Sequence, residues 1–327
     1  MRHLDWVALT VGALCFYIEG RAETRISGPY THQNLSLFLL HQNPATPAPR
    51  QTYLSLQKAM EQKKVVVYET QQVNQLSVEN TSDQPVFIQR GDMVKGGQQD
   101  RMITNDFVLP PRSGRIPLQA FCVEQDRWSG RGKEDAGTFE SSTGLAAVAF
   151  DPRAMWNQMS VWGAVRELKT SLVRTLNTPQ AHKALSSTSS LGVAQTIPQT
   201  EEAVSAYTKA LATLVTDKKD VVGYAFAVNG VLKSADVYAS PALFSSMREK
   251  VLKAIAVEAI RLRGDARKLP VVQVSQVSVF LRSAALGKET VTNVYGSISL
   301  LKREGVNEYS VESRDGLNFV HRSVMKK

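Results

Sequence analysis

Two spacings of apolar residues alternate along the chain. Between residues 35 and 128 they come in short runs or every second position, bounded by polar turns, as in half-buried antiparallel strands. Lys64 to Tyr68, Leu76 to Val78 and Val86 to Ile88 are predicted strands, with a short helix at Leu54 to Glu61 before them. Pro44, Pro47 and Pro49 make residues 43–50 an extended connector after a leading strand, because proline cannot donate to a ladder. From Asp151 the spacing becomes helical: Met155, Met159, Trp162, Val165, Leu168, Leu172 and Leu176 recur every three or four residues and read as a core stripe. Residues 186–199, rich in Ser, Thr and Gln, read as a loop. A second helix follows from Glu201 to Val215, with Thr200 as its N-cap. Val221 to Val228 and Val231 to Val237 flank Asn229-Gly230, a pair suited to the positive φ angles of a tight hairpin. Ser240 caps and Pro241 opens a helix that ends before Gly264. Strands near 271–280, 290–300, 307–312 and 317–322 are predicted to close the chain as a meander. The expected fold is α+β: an antiparallel β-rich N-terminal half, residues 23–150, packed with an α/β C-terminal half, residues 151–327, as two units or as one continuous domain.

A length of 327 residues allows roughly two folded units of about 150 residues each. With 43% hydrophobic and 21% charged residues the composition is globular, which excludes wholesale disorder, collagen and a polytopic membrane protein. The formal charge of +9 favours an acidic partner without naming one. Five histidines and two cysteines are too scattered for a zinc site or a disulfide framework, so no metal is expected. Neither a Walker loop nor a G-x-G-x-x-G fingerprint is present, and no cofactor is expected. The basic residues are not interleaved with aromatics, so specific nucleic-acid binding is not expected. At the N-terminus, Arg2 and His3 precede the apolar run Trp6 to Ile18, and Gly20-Arg21-Ala22 has small residues at both ends. Residues 1–22 therefore read as a secretory leader, too short for a permanent membrane span. The expected location is periplasmic or extracellular; as a buried first helix the same segment would leave the protein cytoplasmic.

Gly91 to Trp128 carries polar residues where a strand pattern would bury them. Arg101 to Leu109 and Ile116 to Glu124 are strand-like, and Pro110-Pro111-Arg112-Ser113-Gly114-Arg115 between them demands a turn. Placing both apolar faces on one core pairs Leu109 with Ile116, so opposing residues sum to 225. Ile103 then faces Cys122, Arg101 faces Glu124 in a cross-strand ion pair, and Gln99 faces Asp126 if pairing continues. A buried charge needs such a partner, and a guanidinium fork matches a carboxylate. Gln99, Arg101, Glu124 and Arg127 are thus the candidate ligand-binding residues, with the alternative that the pair only fixes register. An adjacent guanidinium favours the ionised, weakly basic form of Glu124 and opposes a general-base role. Cys122 reads as core rather than nucleophile. Gly96-Gly97 reads as a turn or bulge before a phosphate cradle, and Asp236 as a solvent-facing strand residue before a functional carboxylate. Trp128 either packs at a strand end or stacks on a ligand.

Gly91, Gly97-Gln98-Gln99-Asp100-Arg101 and Cys122-Val123-Glu124-Gln125-Asp126-Arg127-Trp128 together resemble a bacterial family. It is the ARG- and rhodanese-phosphatase-superfamily-associated protein domain, ARG standing for ADP-ribosylglycohydrolase. The resemblance continues through Trp162, Gly223, Asn229-Gly230 and Asp236 to Leu252, covering most of residues 31–322. The family pattern has Gln-Asn-Arg where this chain has Gln99-Asp100-Arg101, and glycine where it has Asp126. The resemblance implies an ADP-ribose-related context and no demonstrated reaction. Three functions are compatible with it: binding of a small anionic or ADP-ribose-related ligand, hydrolysis of an ADP-ribose-like nucleotide with Glu124 or Asp236 handling protons, and a non-catalytic structural or protein-interaction module. Neither the oligomeric state nor catalysis is determined at this level.

Overall fold

A computed structural model describes residues 25–45, 51–125, 127–130, 132, 134–155, 157–186, 198–216, 218–265 and 270–327. The leader at 1–22, part of the proline-rich connector, most of the polar loop at 186–199 and Asp126 lie outside the described residues. The chain starts with β1 (Arg25–His32) and β2 (Leu35–His41). After the connector come β3 (Leu54–Ser55) and α1 (Leu56–Glu61), where the Ser55 side chain caps by accepting from the Lys58 N–H. The β-rich half continues with β4 (Val65–Gln72), β5 (Gln75–Asn80), β6 (Val86–Ile88), β7 (Asp92–Gly96), β8 (Arg101–Ile103), β9 (Phe107–Leu109), β10 (Gly114–Cys122) and β11 (Phe139–Leu145). Helices α2 (Gln158–Leu176), α3 (Pro179–Ser186) and α4 (Pro198–Thr216) follow, then β12 (Val221–Val228), β13 (Val231–Tyr238), α5 (Pro241–Arg261) and α6 (Val274–Ser283). The chain closes on β14 (Lys288–Tyr295), β15 (Ile298–Glu304), β16 (Glu308–Asp315) and β17 (Asn318–Lys326). With 33% helix and 41% strand, the fold is α+β and rich in antiparallel strand.

The strands make three sheets. Eight lie in the order β1-β2-β12-β13-β17-β16-β15-β14, six in the order β11-β7-β8-β10-β5-β4, and three in the order β3-β6-β9. β1 and β2 thus join a sheet otherwise built from residues after 220, which ties the two ends of the chain together. Helix α5 buries Leu243, Met247, Val251 and Ile255 in the main core with Leu39, Tyr224, Phe226, Leu168 and Leu172. On the other face of the large sheet, Val277 and Phe280 of α6 pack with Phe38, Ala225, Ala235 and Val324. The middle of this sheet is therefore buried on both sides, while β14 at its edge is exposed throughout. Among the described residues no helix is long and apolar enough to cross a membrane.

Local signals hold where geometry is local. Asn229 and Gly230 have φ of 52° and 78°, both positive as a two-residue hairpin turn requires. Ser240 accepts from the Leu243 N–H and Pro241 begins α5. Four expectations are corrected. Residues 271–280 are not a strand, since most of them form α6; their valines carry strand propensity, but Val277 and Phe280 sit three apart on one buried helical face and Gln273 and Gln276 form a capping box. The strand predicted near 290–300 is a hairpin, β14 and β15, turned at Gly296 with φ of 53°. Thr200 is not an N-cap, because α4 starts at Pro198 and already contains it. Met159 is 63% exposed, and Val161 takes its place in the α2 stripe.

The hairpin expected between 101 and 124 does not form in that register. β9 leaves to pair with β6, Leu109 meeting Val86 rather than Ile116. The first part of β10 pairs with β5 instead, Ile116 meeting Val78. Only its last residues meet β8: Ala120 with Ile103, Phe121 with Met102 and Cys122 with Arg101. Opposing residues therefore sum to 223, two less than expected. A shift of two preserves which face each side chain occupies while changing its partner.

Candidate functional site

Arg101 points inward, as alternation requires, and its side chain is fully buried. The expected ion pair with Glu124 is absent: Arg101 Nη2 lies 3.3 Å from Glu69 Oε2, and Nη1 donates to Cys122 Sγ across the ladder. Two more residues along the strand path, Glu124 accepts from the Asp100 backbone N–H at 2.9 Å and from Arg127 Nε at 2.7 Å, with Arg127 Nη2 on the same oxygen. Arg127 Nη2 also lies 3.5 Å from Asp100 Oδ1, and Nη1 donates to the Ser129 carbonyl. Glu124, Arg127 and Asp100 thus form one cluster, with Gln99 and Arg101 on either side of Asp100 in the chain, wired differently from the expectation. Trp128, 46% exposed, lies over it with the Arg101 guanidinium carbon 5.2 Å from its ring centroid. Gln99 is buried, and among the described residues neither its Oε1 nor Arg101 Nε has a hydrogen-bond partner.

Gly97 makes this wiring possible. Its φ is +55°, and a Cβ there would sit 2.5 Å from Phe139 Cζ and 2.7 Å from Glu69 Oε2. The space a phosphate would need is taken by the protein's own carboxylate, which accepts from the Gln98 N–H at 3.1 Å; the Gly96 N–H goes to Asp100 Oδ1. Gly96-Gly97 is accordingly a turn. Cys122 is no nucleophile: burial pushes its thiol up, partly offset by Arg101 and reinforced by Glu69, to about 11. In a Cys15→Ser background, native protein at pH 8 should leave Cys122 unmodified by a thiol reagent over the time in which urea-unfolded protein reacts fully; fast reaction in the native state would show the thiol accessible and activated.

A second polar cluster lies between the large sheet and the β-rich half, and only one of its members, Asp236, is legible in the sequence. Asp236 does not face solvent. It is 2% exposed, because α5 and the β-rich half cover that face of β13. Tyr224, its cross-strand neighbour, donates to Oδ2. His321 sits between two carboxylates, Nδ1 2.7 Å from Asp106 Oδ2 and Nε2 3.1 Å from Asp236 Oδ1, the latter off the line a hydrogen bond needs. Burial alone would lower the imidazolium's pKa; Asp106 and Asp236 outweigh it and raise it to about 9. Alongside, Tyr238 donates to Gln89 Oε1 at 3.0 Å, and Lys250 of α5 pairs with Asp92 of β7. The single histidine and lysine involved carried no spacing signal, since their partners lie some 85 to 215 positions away. Among the described residues there is no group of three His, Cys, Asp or Glu that could hold a metal.

A model of the ARG and Rhodanese-Phosphatase-superfamily-associated Protein domain matches residues 23–325. The chain belongs to this family. No curated protein and no solved structure matches it. The family segment Gly97 to Arg101 and Cys122 to Trp128 is the wall of the first cluster, so the matching motif and the Gln99–Arg101–Glu124–Arg127 grouping coincide. Where the family pattern has asparagine, Asp100 uses its carboxylate on both the Gly96 N–H and Arg127. An asparagine could keep the first contact but not the charge of the second.

Proposed function

We propose that this protein is a binding domain for a small ADP-ribose-related compound, taken up by the Gln99–Arg101–Glu124–Arg127 cluster beneath Trp128. The observation that carries this reading is the vacant donor and acceptor in that cluster, Arg101 Nε and Gln99 Oε1. Each buried polar atom without a partner costs about 1–3 kcal/mol. A ligand hydroxyl can accept from one and donate to the other. A bare phosphate fits poorly, because its negative charge would face Glu69, Asp100 and Glu124. Ribose hydroxyls meet the requirement, and a family named for its association with ARG and rhodanese-phosphatase systems supports the reading. Trp128 is the side chain that has to swing aside. The hydrolase reading has less support: Glu124 is engaged by the Arg127 fork, and Asp236 lies in a different, closed cluster.

Thermal unfolding with ADP-ribose, NAD and inorganic phosphate tests this. At a hundred times Kd a ligand adds about 2.7 kcal/mol, a rise of roughly 4 °C for a chain of this size. ADP-ribose should raise the melting temperature of wild type by more than inorganic phosphate does, and Gln99→Leu or Trp128→Ala should each remove that excess; an ADP-ribose shift no larger than that of phosphate would remove the reading. Turnover of ADP-ribose that Glu124→Gln abolishes would replace binding by hydrolysis.

A further inference from the structure

The large sheet carries a second arrangement of charge, on the face opposite His321. Along one rung, Val291, Leu301, Glu312, Arg322 and Val237 stand opposite one another across β14, β15, β16, β17 and β13, so their side chains share a face. Arg303 and Arg314, each two residues along its strand from a member of that rung, flank Glu312. The Glu312 side chain is fully buried beneath three guanidiniums. Arg322 places Nε 2.8 Å from Oε2 with Nη2 on the same oxygen, Arg314 places both Nε and Nη2 2.7 Å from Oε1, and Arg303 Nη1 approaches Oε2 at 3.9 Å. Two arginines already occupy both carboxylate oxygens, so the third is surplus to the pairing of Glu312. Among the described residues Arg303 has one other acidic partner, Glu289 at 2.7 Å, which is 45% exposed and screened by solvent. Three cations therefore meet two anions, and the buried one is already chelated. Each guanidinium has five N–H donors, of which these carboxylates engage a minority. The side chains of Arg303, Arg314 and Arg322 remain 16%, 31% and 24% exposed, so none of the three is sealed from solvent.

We infer that Arg303, Arg314 and Arg322 form an oxyanion site that takes the phosphoryl group of a small phosphorylated molecule. Glu312 acts as the post that holds the three forks side by side, so that their orientation is set before the anion arrives. Guanidinium planes suit phosphate oxygens because two parallel N–H bonds reach one phosphoryl group. Exposed Val291, next along the rung, offers an apolar surface to the rest of such a molecule. This site shares no residue with the Gln99–Arg101 cluster and stands whether or not that cluster binds a ribose.

Calorimetric titration of the full chain with inorganic phosphate and with pyrophosphate, at ionic strength held constant with sodium chloride, tests the inference. Saturable binding is expected with both, tighter for pyrophosphate. Arg314→Gln and Arg303→Gln, both at partly exposed positions, should each weaken it about tenfold, the loss of one charge-assisted contact. Arg314→Lys should recover little, because an ammonium cannot form the fork. Urea midpoints confirm that each variant is folded. Heat no different from matched chloride, or Arg303→Gln and Arg314→Gln both titrating like wild type, would overturn the inference. So would an acidic peptide that binds where phosphate and pyrophosphate do not, since that would assign the surface to a protein partner.

Discussion

Replacing Lys250 by methionine should destabilise the protein by about 3–5 kcal/mol, the usual cost of stranding one partner of a buried ion pair. Lys250 is 3% exposed on α5 and meets Asp92 at the start of β7, so the pair bolts the central helix to the six-stranded sheet. Methionine matches the volume of the lysine stem, which isolates the electrostatic part of the loss. Asp92 would be left as a buried carboxylate with the Gln89 N–H as its remaining hydrogen-bond donor. The double variant Lys250→Met/Asp92→Asn removes both charges and keeps an acceptor for Gln89, and should regain most of the lost stability. Urea midpoints of the four proteins form the cycle. If the single variant unfolds with wild type, or the double is no better than the single, the pair does not carry the weight assigned to it.

Stability should also fall as the pH rises from 6.5 to 9, by about 3 kcal/mol at full effect. The folded pKa of His321, about 9, lies above the ordinary value of 6.5. The imidazolium therefore stabilises the fold fully below pH 6.5, and that contribution disappears as the pH climbs through 9. The groups that face it are Asp106 before β9, Asp236 of β13, and the rings of Phe87 and Tyr238. Asp106 titrates in the opposite direction: burial would raise its carboxyl, but His321 leads the contacts that hold it below the usual range, so its contribution is lost only in acid. Unfolding free energies from urea melts across pH 6.5 to 9 should decline for wild type and stay level for His321→Gln. A flat or rising wild-type curve would mean that the ring is neutral in the folded protein.

The two buried networks differ in how far they can be read from the residues. Alternation within one strand places Arg101 inward correctly, because a strand's two faces are set by its own backbone. Its partner is another matter. β9 deserts the expected hairpin for β6, β10 divides itself between β5 and β8, and the guanidinium finds Glu69, some thirty residues earlier. Nothing within the hairpin carries that information. Gln99, Arg101, Glu124 and Arg127 nonetheless fall together, since a slip of two positions keeps a face and moves a side chain by only one rung. Asp236 fails for the converse reason: a polar residue alternating with apolar ones looks solvated unless both faces of its sheet are known to be covered.

What the sequence determined alone is whatever is settled within a few residues: the positive-φ turn at Asn229-Gly230, the Ser240-Pro241 start of α5, the strand and helix periods, and hence the α+β class. Tertiary structure decided the 271–280 segment, where valine's preference for strands yielded to the burial of Val277 and Phe280 on one helical face. It decided the pairing of Arg101, the enclosure of His321 between Asp106 and Asp236, and the gathering of three arginines on Glu312. The pairing of Arg101 and the enclosure of His321 depend on which distant strands become neighbours, a choice made by the burial of whole faces, while the arginines on Glu312 depend on the register of β15, β16 and β17, which follow one another in the chain.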